Sequence, residues 1–468
     1  MMNKGGIPVN INDTLRYLNI GLPDDIQRRK AYGDFEGAVR LIDRRLSQEN
    51  TPQALRCCLI AQKEIMRWLP GEYPYTREEA LAVCREHIPD FTEEEFDERV
   101  DAGKIGWIYV NGEMHFFGRF FPTMCKADPV FADRAGVKMY GVESVVKTAG
   151  KGRLDLAMEK MKTQGSMTNR IRIRAHVRLK DENFVPGMFI RVHLPIPAAC
   201  DQQSDIKIEK MYPEGGMIAP ETAEQRAVCW EEHMMENHEF SVEYSYTHKA
   251  TYHDVSKITA DPVQPTFDTQ EESPHILFTP YIKELVNTLT EGVTDPLEKA
   301  RIFYDFITLN MKYSFMPSYI VLENISESCA RNFTGDCGVF ALLFITLCRC
   351  AGIPAQWQSG LTAEPDFCGG HDWARFYIAP YGWLYADTSY GTAAVRAQNE
   401  ERRKFYFGNL DAYRMVCNRA FQAPLTVDKK HWRADPYDNQ LGEMETEDKG
   451  FTFAEYERFK EVLECTEI

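Results

Sequence analysis

The most apolar run of the chain constrains its fold more than any other feature. It reads Val-Phe-Ala-Leu-Leu-Phe-Ile-Thr-Leu-Cys over residues 339–348, and it directly follows Gly335-Asp336-Cys337-Gly338. A segment that is apolar on every side predicts a buried helix, and this one is far too short to span a bilayer. Because the unpaired N–H groups and the dipole at a helix start favour negative charge, the pattern predicts that Cys337 readily forms a thiolate.

Two motifs further along the chain supply partners for this thiol. His371-Asp372-Trp373 comes first, and Trp383-Leu384-Tyr385-Ala386-Asp387 follows it. A thiol, an imidazole and a carboxylate in this order are the parts of a nucleophilic triad. Because strand-like segments flank the turn at Pro380-Tyr381-Gly382, we expect two adjacent strands to hold His371 and Asp387 side by side.

Size and charge limit the classes of function. The chain has 468 residues, enough for two to four domains of about 100–200 residues each. Its 70 acidic and 54 basic side chains give a formal net charge of −16. This balance argues against a general nucleic-acid binder, which must neutralise phosphates, and against docking on an anionic membrane surface. We therefore expect neither nucleic acid nor membrane as a partner.

The N-terminus and the cysteines suggest a compartment. Residues 1–10 contain no apolar core of the kind that a secretory signal has. The 13 cysteines are an odd number without regular spacing. We therefore expect reduced thiols in a cytoplasmic protein, most of them small buried hydrophobic side chains.

Residues 1–150 are predicted to form a mainly helical domain with a β-hairpin. Thr76 and Glu79 have the spacing of a capping box at a helix start. Asn111-Gly112 lies between two runs of aromatic and β-branched residues, which is the strongest short hairpin signal. Because the segment is acidic, binding of a protein partner or simple packing is favoured over DNA recognition.

Short strands and turn signals over residues 165–260 predict an antiparallel β-sandwich. Four arginines share one face of its first strand, which fits either a solvated face or a groove for an acidic ligand: Arg170, Arg172, Arg174 and Arg178. Residues 436–468 are predicted to be an acidic C-terminal tail at the periphery, within which 453–463 could form a helix.

The segment from about 280 to 391 resembles the transglutaminase-like superfamily, a papain-related group of thiol enzymes, as found in bacterial members. The resemblance depends on an ordered set of motifs that follow a helix ending near Tyr313: Gly335-Asp336-Cys337-Gly338, Ala351-Gly352-Ile353-Pro354-Ala355, Ser359-Gly360, His371-Asp372-Trp373-Ala374 and Gly382-Trp383-Leu384-Tyr385-Ala386-Asp387.

The resemblance implies a fold and a set of roles. The fold would be multidomain α+β, with a catalytic core over residues 277–435 in which the cysteine-bearing helix packs on an antiparallel sheet that bears the histidine and the aspartate. The β-sandwich and the helical N-terminal domain would precede this core. Cys337 would be the nucleophile, His371 the base and acid, and Asp387 the group that orients the imidazole.

The oxyanion hole and the substrate contacts are less well defined. The family often has an acidic residue where this chain has Arg375. Papain-like enzymes often have a glutamine where this chain has Arg331, so Asn332 and Tyr313 are alternative helpers and none of the three is preferred. The first backbone N–H groups of the helix, including that of Cys337, could stabilise an oxyanion.

We expect neither a metal nor another cofactor. Cys368-Gly369-Gly370-His371 has ligand types at C-x-x-H spacing, but a structural zinc site usually needs four ligands and the sequence shows no matching second pair. No calcium-loop pattern is evident either.

The leading functional hypothesis is a thiol-dependent enzyme that cleaves or transfers an amide or isopeptide bond in a protein or peptide through a thioester. Hydrolysis of the cysteine-protease type is favoured over acyl transfer because water is always present as an acceptor. Glycan removal is disfavoured because the C-x-x-C pairs that accompany it are missing. The alternative is a non-enzymatic interaction or scaffold protein built on the same core, in which Cys337 reacts no faster than an ordinary thiol.

Overall fold

The computed structural model describes residues 10–138 and 151–468, which divide into two units. The first unit comprises Met1–Ala149, Glu272–Leu277 and Asn310–Asp336, and the second comprises Gly150–Glu271, Phe278–Leu309 and Cys337–Ile468. Helices and antiparallel sheets are mixed, as the sequence predicts. None of the helices in the described ranges is both long and apolar enough to cross a membrane.

A 3-10 helix at Ile11–Ile20 precedes the α-helices, which are, in chain order, α1 (Asp24–Tyr32), α2 (Phe35–Leu46), α3 (Gln53–Glu72), α4 (Arg77–His87), α5 (Glu93–Asp101), α6 (Phe120–Ala127), α7 (Pro129–Arg134), α8 (Arg153–Gln164), α9 (Pro280–Leu289), α10 (Pro296–Asn310), α11 (Ile325–Asn332), α12 (Cys337–Cys350), α13 (Thr388–Arg396) and α14 (Glu400–Phe405). The strands are β1 (Trp107–Val110), β2 (Glu113–Phe116), β3 (Ser166–Leu179), β4 (Met188–Pro195), β5 (Gln203–Tyr212), β6 (Met217–Ile218), β7 (Ala227–Met234), β8 (Phe240–Thr251), β9 (Lys312–Tyr313), β10 (Thr334–Gly335), β11 (Ala355–Glu364), β12 (Phe367–Ile378), β13 (Gly382–Ala386), β14 (Phe407–Gly408), β15 (Arg414–Asn418), β16 (Glu443–Glu445) and β17 (Tyr456–Glu467).

The first unit forms the local structures that its sequence signals predict. At the start of α4, the backbone N–H of Thr76 donates to the Glu79 carboxylate at 2.8 Å, and the backbone N–H of Glu79 donates to the Thr76 hydroxyl at 3.3 Å. Strands β1 and β2 form the expected hairpin, in which Asn111 and Gly112 both adopt positive φ angles, 50° and 84°. Such a turn matches the twist of the two strands, because both central residues are left-handed.

The second unit contains three sheets. A five-stranded sheet has the order β14-β13-β12-β11-β15, and two four-stranded sheets have the orders β16-β4-β7-β6 and β17-β3-β8-β5. Along β3 the apolar side chains alternate inward, as the period of a strand requires. Both four-stranded sheets and strands β11 and β15 contribute to one buried cluster, whose members include Ile173, Val192, Trp230, Tyr244, Leu361 and Met415.

The predicted buried helix after Cys337 is present as α12. All of its residues from Gly338 to Cys348 are buried. The helix packs on the five-stranded sheet, where the rings of Phe344 and Phe376 lie 5.6 Å apart at 72°. This packing sets Cys337, the first residue of α12, against strand β12.

The prediction of a peripheral C-terminal tail, with a helix over 453–463, is wrong. Residues 443–445 form β16 beside β4, and residues 456–467 form β17 along β3. Three glutamates of β17 lie opposite three of the arginines of β3, in the pairs Glu457↔Arg178, Glu461↔Arg174 and Glu464↔Arg172, whereas Arg170 lies opposite Thr466. Opposite charges stabilise such cross-strand pairs, so three of the four arginines have a glutamate beside them on the neighbouring strand, while Arg170 and Arg172 stay exposed on this face.

We expect the aromatic residue at the start of β17 to stabilise the second unit. Tyr456 is 2% exposed, and its hydroxyl donates to the Gly442 carbonyl at 2.9 Å. Tyr456→Ala should lower the free energy of unfolding by about 3 kcal/mol or more, because it leaves a cavity and removes a buried hydrogen bond. Urea unfolding followed by tryptophan fluorescence measures this loss.

Phe459→Ala is the matched control on the same strand, since Phe459 is 47% exposed. Phe459→Ala should lower the free energy of unfolding by less than about 1 kcal/mol. Equal losses for the two variants would contradict an integral role of β17 in the buried core.

Candidate active site

Strands β12 and β13 bring an imidazole and a carboxylate together. The strands pair antiparallel with Ala374 opposite Ala386, and the turn between them is the one that the sequence predicts. His371 Nε2 lies 2.7 Å from Asp387 Oδ2, and both residues are buried. Asp387 is also the N-cap of α13, where its Oδ1 accepts the N–H of Tyr390 at 2.8 Å.

The charge state of Asp387 decides which ring nitrogen of His371 carries the hydrogen. Burial alone would raise the pKa of this carboxyl, but the charges of His371 and Arg414 and the hydrogen bonds that it accepts outweigh burial, so its pKa is lowered. An ionised carboxylate can only accept hydrogen bonds. Nε2 of His371 must therefore carry a hydrogen, and Nδ1 is the nitrogen that can exchange a proton with a nucleophile.

A buried arginine supports this carboxylate, and the sequence analysis missed it. Arg414 is completely buried on β15, and its Nη1 donates to Asp387 Oδ2 at 2.8 Å. Its Nε donates to Asp411 Oδ2 at 3.0 Å, and its guanidinium lies 4.3 Å from the centre of the Tyr390 ring. The pKa of Asp411 would be raised by burial, but Arg414 lowers it. An arginine directly before the apolar run Met415-Val416-Cys417 was the signal, because buried arginines require paired carboxylates.

Strand β15 reaches this position because of one glycine. A Cβ on Gly360, which pairs with His371, would lie 1.9 Å from the Met415 carbonyl oxygen. The pairing of β11 with β15 shifts register between Ser359 and Gly360. Only glycine allows such a close approach of two backbones, which explains the glycine of the Ser359-Gly360 motif.

Aromatic rings fix the orientation of the imidazole. The centre of the His371 ring lies 4.8 Å from that of Tyr390 and 6.0 Å from that of Trp373. The indole N–H of Trp373 donates to the Gln358 side-chain oxygen at 2.9 Å. His371 is thus packed between rings that are themselves held in place, and only 5% of its surface is exposed.

The thiol of Cys337 lies beside the neighbour of His371 on the same strand. Cys337 is half-buried, and its Sγ donates a hydrogen bond to Asp372 Oδ2 at 3.2 Å. The structure therefore joins His371 and Asp387 directly and places the predicted nucleophile against Asp372. The sequence analysis assigned no role to Asp372, although it stands within the histidine motif.

Asp372 is held by the C-terminal segment. The Gln440 amide nitrogen donates to Asp372 Oδ1 and, at 3.0 Å, to Asp438 Oδ2. Burial raises the pKa of Asp438, which also shares a hydrogen bond with Asp372. No local pattern could have found Gln440, because the predicted tail that contains it is distant in sequence from the cysteine motif.

The three candidate oxyanion helpers belong to the first unit. The Arg331 and Asn332 side chains donate within α11, to Glu327 at 2.7 Å and to Ser328 at 3.2 Å. The ring of Tyr313 lies 5.8 Å from that of Phe315. None of these contacts tests a role in catalysis, so all three assignments stay predictions.

The C-x-x-H pair does not converge. Cys368 and His371 are three residues apart on β12, so their side chains leave opposite faces of the strand. Within residues 10–138 and 151–468 no group of three or more His, Cys, Asp or Glu side chains could hold a metal ion. Burial raises the pKa of Cys368 to about 11, which disfavours its thiolate.

Buried cysteines elsewhere in the chain are expected to be unreactive. Burial raises the pKa of Cys58 and of Cys84 to about 12. The pKa values of Cys348 and Cys417 lie well above the ordinary value for the same reason. Because the thiolate is the nucleophile, these residues form a slow background for chemical labelling.

Residues 283–388 match the family model of the transglutaminase-like superfamily. The match confirms the resemblance that the ordered motifs predict, and it includes Cys337, His371 and Asp387. It covers less than a quarter of the chain. A thiol enzyme is therefore the coarse class that the match supports.

Other similar proteins are distant. An uncharacterized protein of Haemophilus influenzae is 26% identical over 192 residues, which cover 34% of this chain and 52% of that protein. The chain thus spans about half the length of the curated relative that it matches. A solved structure described as "a Putative Cysteine Protease" from Cytophaga hutchinsonii has a TM-score of 0.38 at 14% identity, covering 65% of this chain and 91% of that one. The periplasmic domain of TgpA from Pseudomonas aeruginosa bound to ethylmercury has a TM-score of 0.28 at 14% identity, covering 51% and 95%.

Removal of the buried guanidinium should destabilise the second unit strongly. Arg414→Met leaves Asp387 and Asp411 buried without their cation, which should lower the free energy of unfolding by about 3–5 kcal/mol. Arg301→Met is the control, because Arg301 forms an exposed pair with Glu298 and should cost less than about 1 kcal/mol. Urea unfolding of both variants makes the comparison, and similar small losses would contradict the support role of Arg414.

Acid should reduce the difference in the free energy of unfolding between the wild type and Arg414→Met. The lowered pKa values of Asp387 and Asp411 mean that their contribution to stability is complete above the ordinary carboxyl pKa and is lost as the pH falls through the lowered values. The gap in unfolding free energy should therefore narrow below about pH 4. A gap that stays constant down to acid unfolding would show that these carboxyls are not stabilised in their ionised form.

Proposed function

We propose that this chain is a thiol enzyme that cleaves an amide or isopeptide bond, with Cys337 as nucleophile, His371 as base and acid, and Asp387 as the group that orients the imidazole. The observation that carries the proposal is the buried hydrogen bond from His371 Nε2 to Asp387. It lies inside the segment that matches the family model. It also leaves Nδ1 to serve a nucleophile, which is what a thiol–imidazole pair requires.

The proposed cycle moves two protons, one after the other, through the same nitrogen of His371. His371 Nδ1 takes the proton of the Cys337 thiol, and the thiolate attacks the carbonyl carbon. The carbon–nitrogen bond then breaks, and His371 gives the proton to the leaving amine, so a thioester remains. Water attacks the thioester while His371 takes its proton, the carbon–sulfur bond breaks, and His371 returns the proton to the sulfur, so the acid leaves and the thiol forms again. The N–H groups at the start of α12 would stabilise the oxyanion of both tetrahedral intermediates.

Asp387 contributes through His371 and does not titrate in this cycle. Its lowered pKa keeps it ionised, and an ionised neighbour favours the imidazolium that forms when the thiol loses its proton. The rings of Tyr390 and Trp373 restrict the imidazole to the orientation that this carboxylate selects. We therefore expect Asp387→Asn to slow thiol activation even where the fold is kept.

The substrate is proposed to be a protein or peptide, and hydrolysis is proposed over transfer. The cytoplasm as compartment, the absence of a cofactor and a protein partner for the N-terminal helical module remain predictions from the sequence. No role in nucleic-acid or membrane binding is proposed.

The test of the proposal is selective alkylation of one thiol. A brief treatment with limiting iodoacetamide at mildly acidic pH, followed by peptide mass mapping, should label Cys337 ahead of the buried cysteines. His371→Ala should slow this labelling about tenfold or more, since it removes the base that takes the thiol proton in the proposed cycle. His233→Ala is the control, because His233 is an exposed residue of β7.

Uniform slow labelling of several cysteines, with no effect of His371→Ala, would overturn the enzyme and favour the scaffold alternative. Equal effects of His371→Ala and His233→Ala would point to a general loss of structure, which thermal unfolding of each variant measures directly.

The preference for hydrolysis has its own test. Incubation of a glutamine-containing peptide with and without a primary amine should release ammonia at similar rates, and water should remain the main acceptor. Incorporation of the amine in excess of hydrolysis, measured by mass spectrometry, would reverse the preference and leave the thiol chemistry intact. Cys337→Ala should show neither product.

A further inference from the structure

A cavity of about 240 Å³ lies within the second unit, where residues of strand β8 and of strand β13 line it together. The described residues of its lining do not include Cys337, His371 or Asp387. Pockets for drug-sized ligands have volumes of about 300–1,000 Å³. This cavity therefore has the size for a smaller organic molecule, and it is a different site from that of the proposed thiol chemistry.

One residue of the lining is a buried histidine whose polar atoms are unused. His248 is 1% exposed, and neither of its ring nitrogens has a hydrogen-bond partner among the described residues. Buried polar groups are nearly always hydrogen-bonded, because an unpaired one loses its contact with water and gains nothing in return. A molecule in the cavity would supply the hydrogen bond that His248 lacks.

The titratable groups inside the cavity are uncharged at neutral pH. Burial lowers the pKa of His248 to about 4, and the charges of Asp411 and Arg414 act on it in opposite directions. Burial also lowers the pKa of His253 and raises the pKa of Tyr385. These side chains therefore offer hydrogen bonds to a ligand and carry no charge that could neutralise an ion.

The charged side chains of the described lining lie at its rim. Asp201 and Lys249 are both exposed, and their charges are opposite. Asp201 also lies 3.7 Å from the Arg375 guanidinium. Salt and water screen exposed charges, whereas an ion that is buried without a partner is far more costly than a buried uncharged group. The cavity therefore disfavours anions and cations alike.

A second polar part of the lining is held in place by hydrogen bonds. The Tyr385 hydroxyl donates to Gln202 Oε1 at 3.0 Å, and Gln202 Nε2 donates to Gln358 Oε1 at 2.8 Å. The indole N–H of Trp373 donates to the same Gln358 oxygen at 2.9 Å. Because its proton is engaged, the Tyr385 oxygen is left to accept a hydrogen bond from a ligand.

We propose that this cavity binds a small uncharged molecule through a carboxamide group. A carboxamide has its donor and its acceptor on two different atoms, so its carbonyl can accept from His248 while its N–H donates to the Tyr385 oxygen. Trp383 and Leu410, which also line the cavity, would cover the apolar part of the molecule.

The experiment titrates the full chain with butyramide and follows the ligand by saturation-transfer NMR near pH 7. Butyrate and butylammonium have similar shapes and carry opposite charges. Both should bind about tenfold more weakly or less, since each would bury an unpaired charge. Equal binding of butyramide and of either ion would overturn an uncharged site, and equal binding of 1-butanol would overturn the carboxamide.

Substitutions of the two polar residues locate the binding. His248→Phe removes both ring nitrogens and keeps an aromatic ring, so it should weaken butyramide binding about threefold to tenfold. His248→Gln supplies a donor and an acceptor again and should recover part of this loss. Tyr385→Phe removes only the hydroxyl and should weaken binding by a similar factor. It also carries the test if His248→Phe does not fold.

Lys249→Gln is the matched control, because it removes an exposed rim charge from the residue next to His248. It should leave the affinity for butyramide unchanged. Thermal unfolding of each variant shows whether a loss of binding is a loss of structure.

The results that contradict the site are equally definite. Undetectable binding of butyramide to the wild type, or wild-type affinity in both His248→Phe and Tyr385→Phe, would overturn the proposal. Because no readout involves Cys337, such a failure leaves the proposed thiol enzyme untouched.

Discussion

A buried guanidinium is the charge on which the candidate site depends. Arg414 neutralises Asp387 and Asp411 in a region from which water is excluded. Without this cation, burial would favour protonated carboxyls. A protonated Asp387 would no longer define which ring nitrogen of His371 carries the hydrogen. The orientation of the imidazole, the N-cap of α13 and the packing of Tyr390 all follow from one ionised carboxylate in a fixed place.

The two faces of strand β12 carry different side chains of the candidate site. His371 leaves one face toward Asp387, and Asp372 leaves the other face toward Cys337. The alternation of a strand thus separates the contact of the imidazole from the contact of the thiol.

The C-terminal segment is a structural part of this arrangement. Three of its glutamates lie opposite arginines of β3, its β16 extends the sheet that contains β4, and Gln440 reaches the carboxylate beside the thiol. Composition alone suggested an acidic tail at the periphery, because acidic residues are usually exposed. Charge complementarity between two strands nearly three hundred residues apart is invisible to any local pattern, although both halves of it are present in the sequence.

The sequence by itself determined the local features: a buried helix that begins at Cys337, a hairpin at Asn111-Gly112, and a turn that sets the strands of His371 and Asp387 side by side. Each of these depends on residues within about twenty positions of one another, where periodicity and turn chemistry act directly. Only the tertiary structure decided that Arg414 lies under Asp387 and that Gln440 holds Asp372. Those contacts arise from the pairing and register of distant strands, which depend on how whole faces pack and not on any short run of residues.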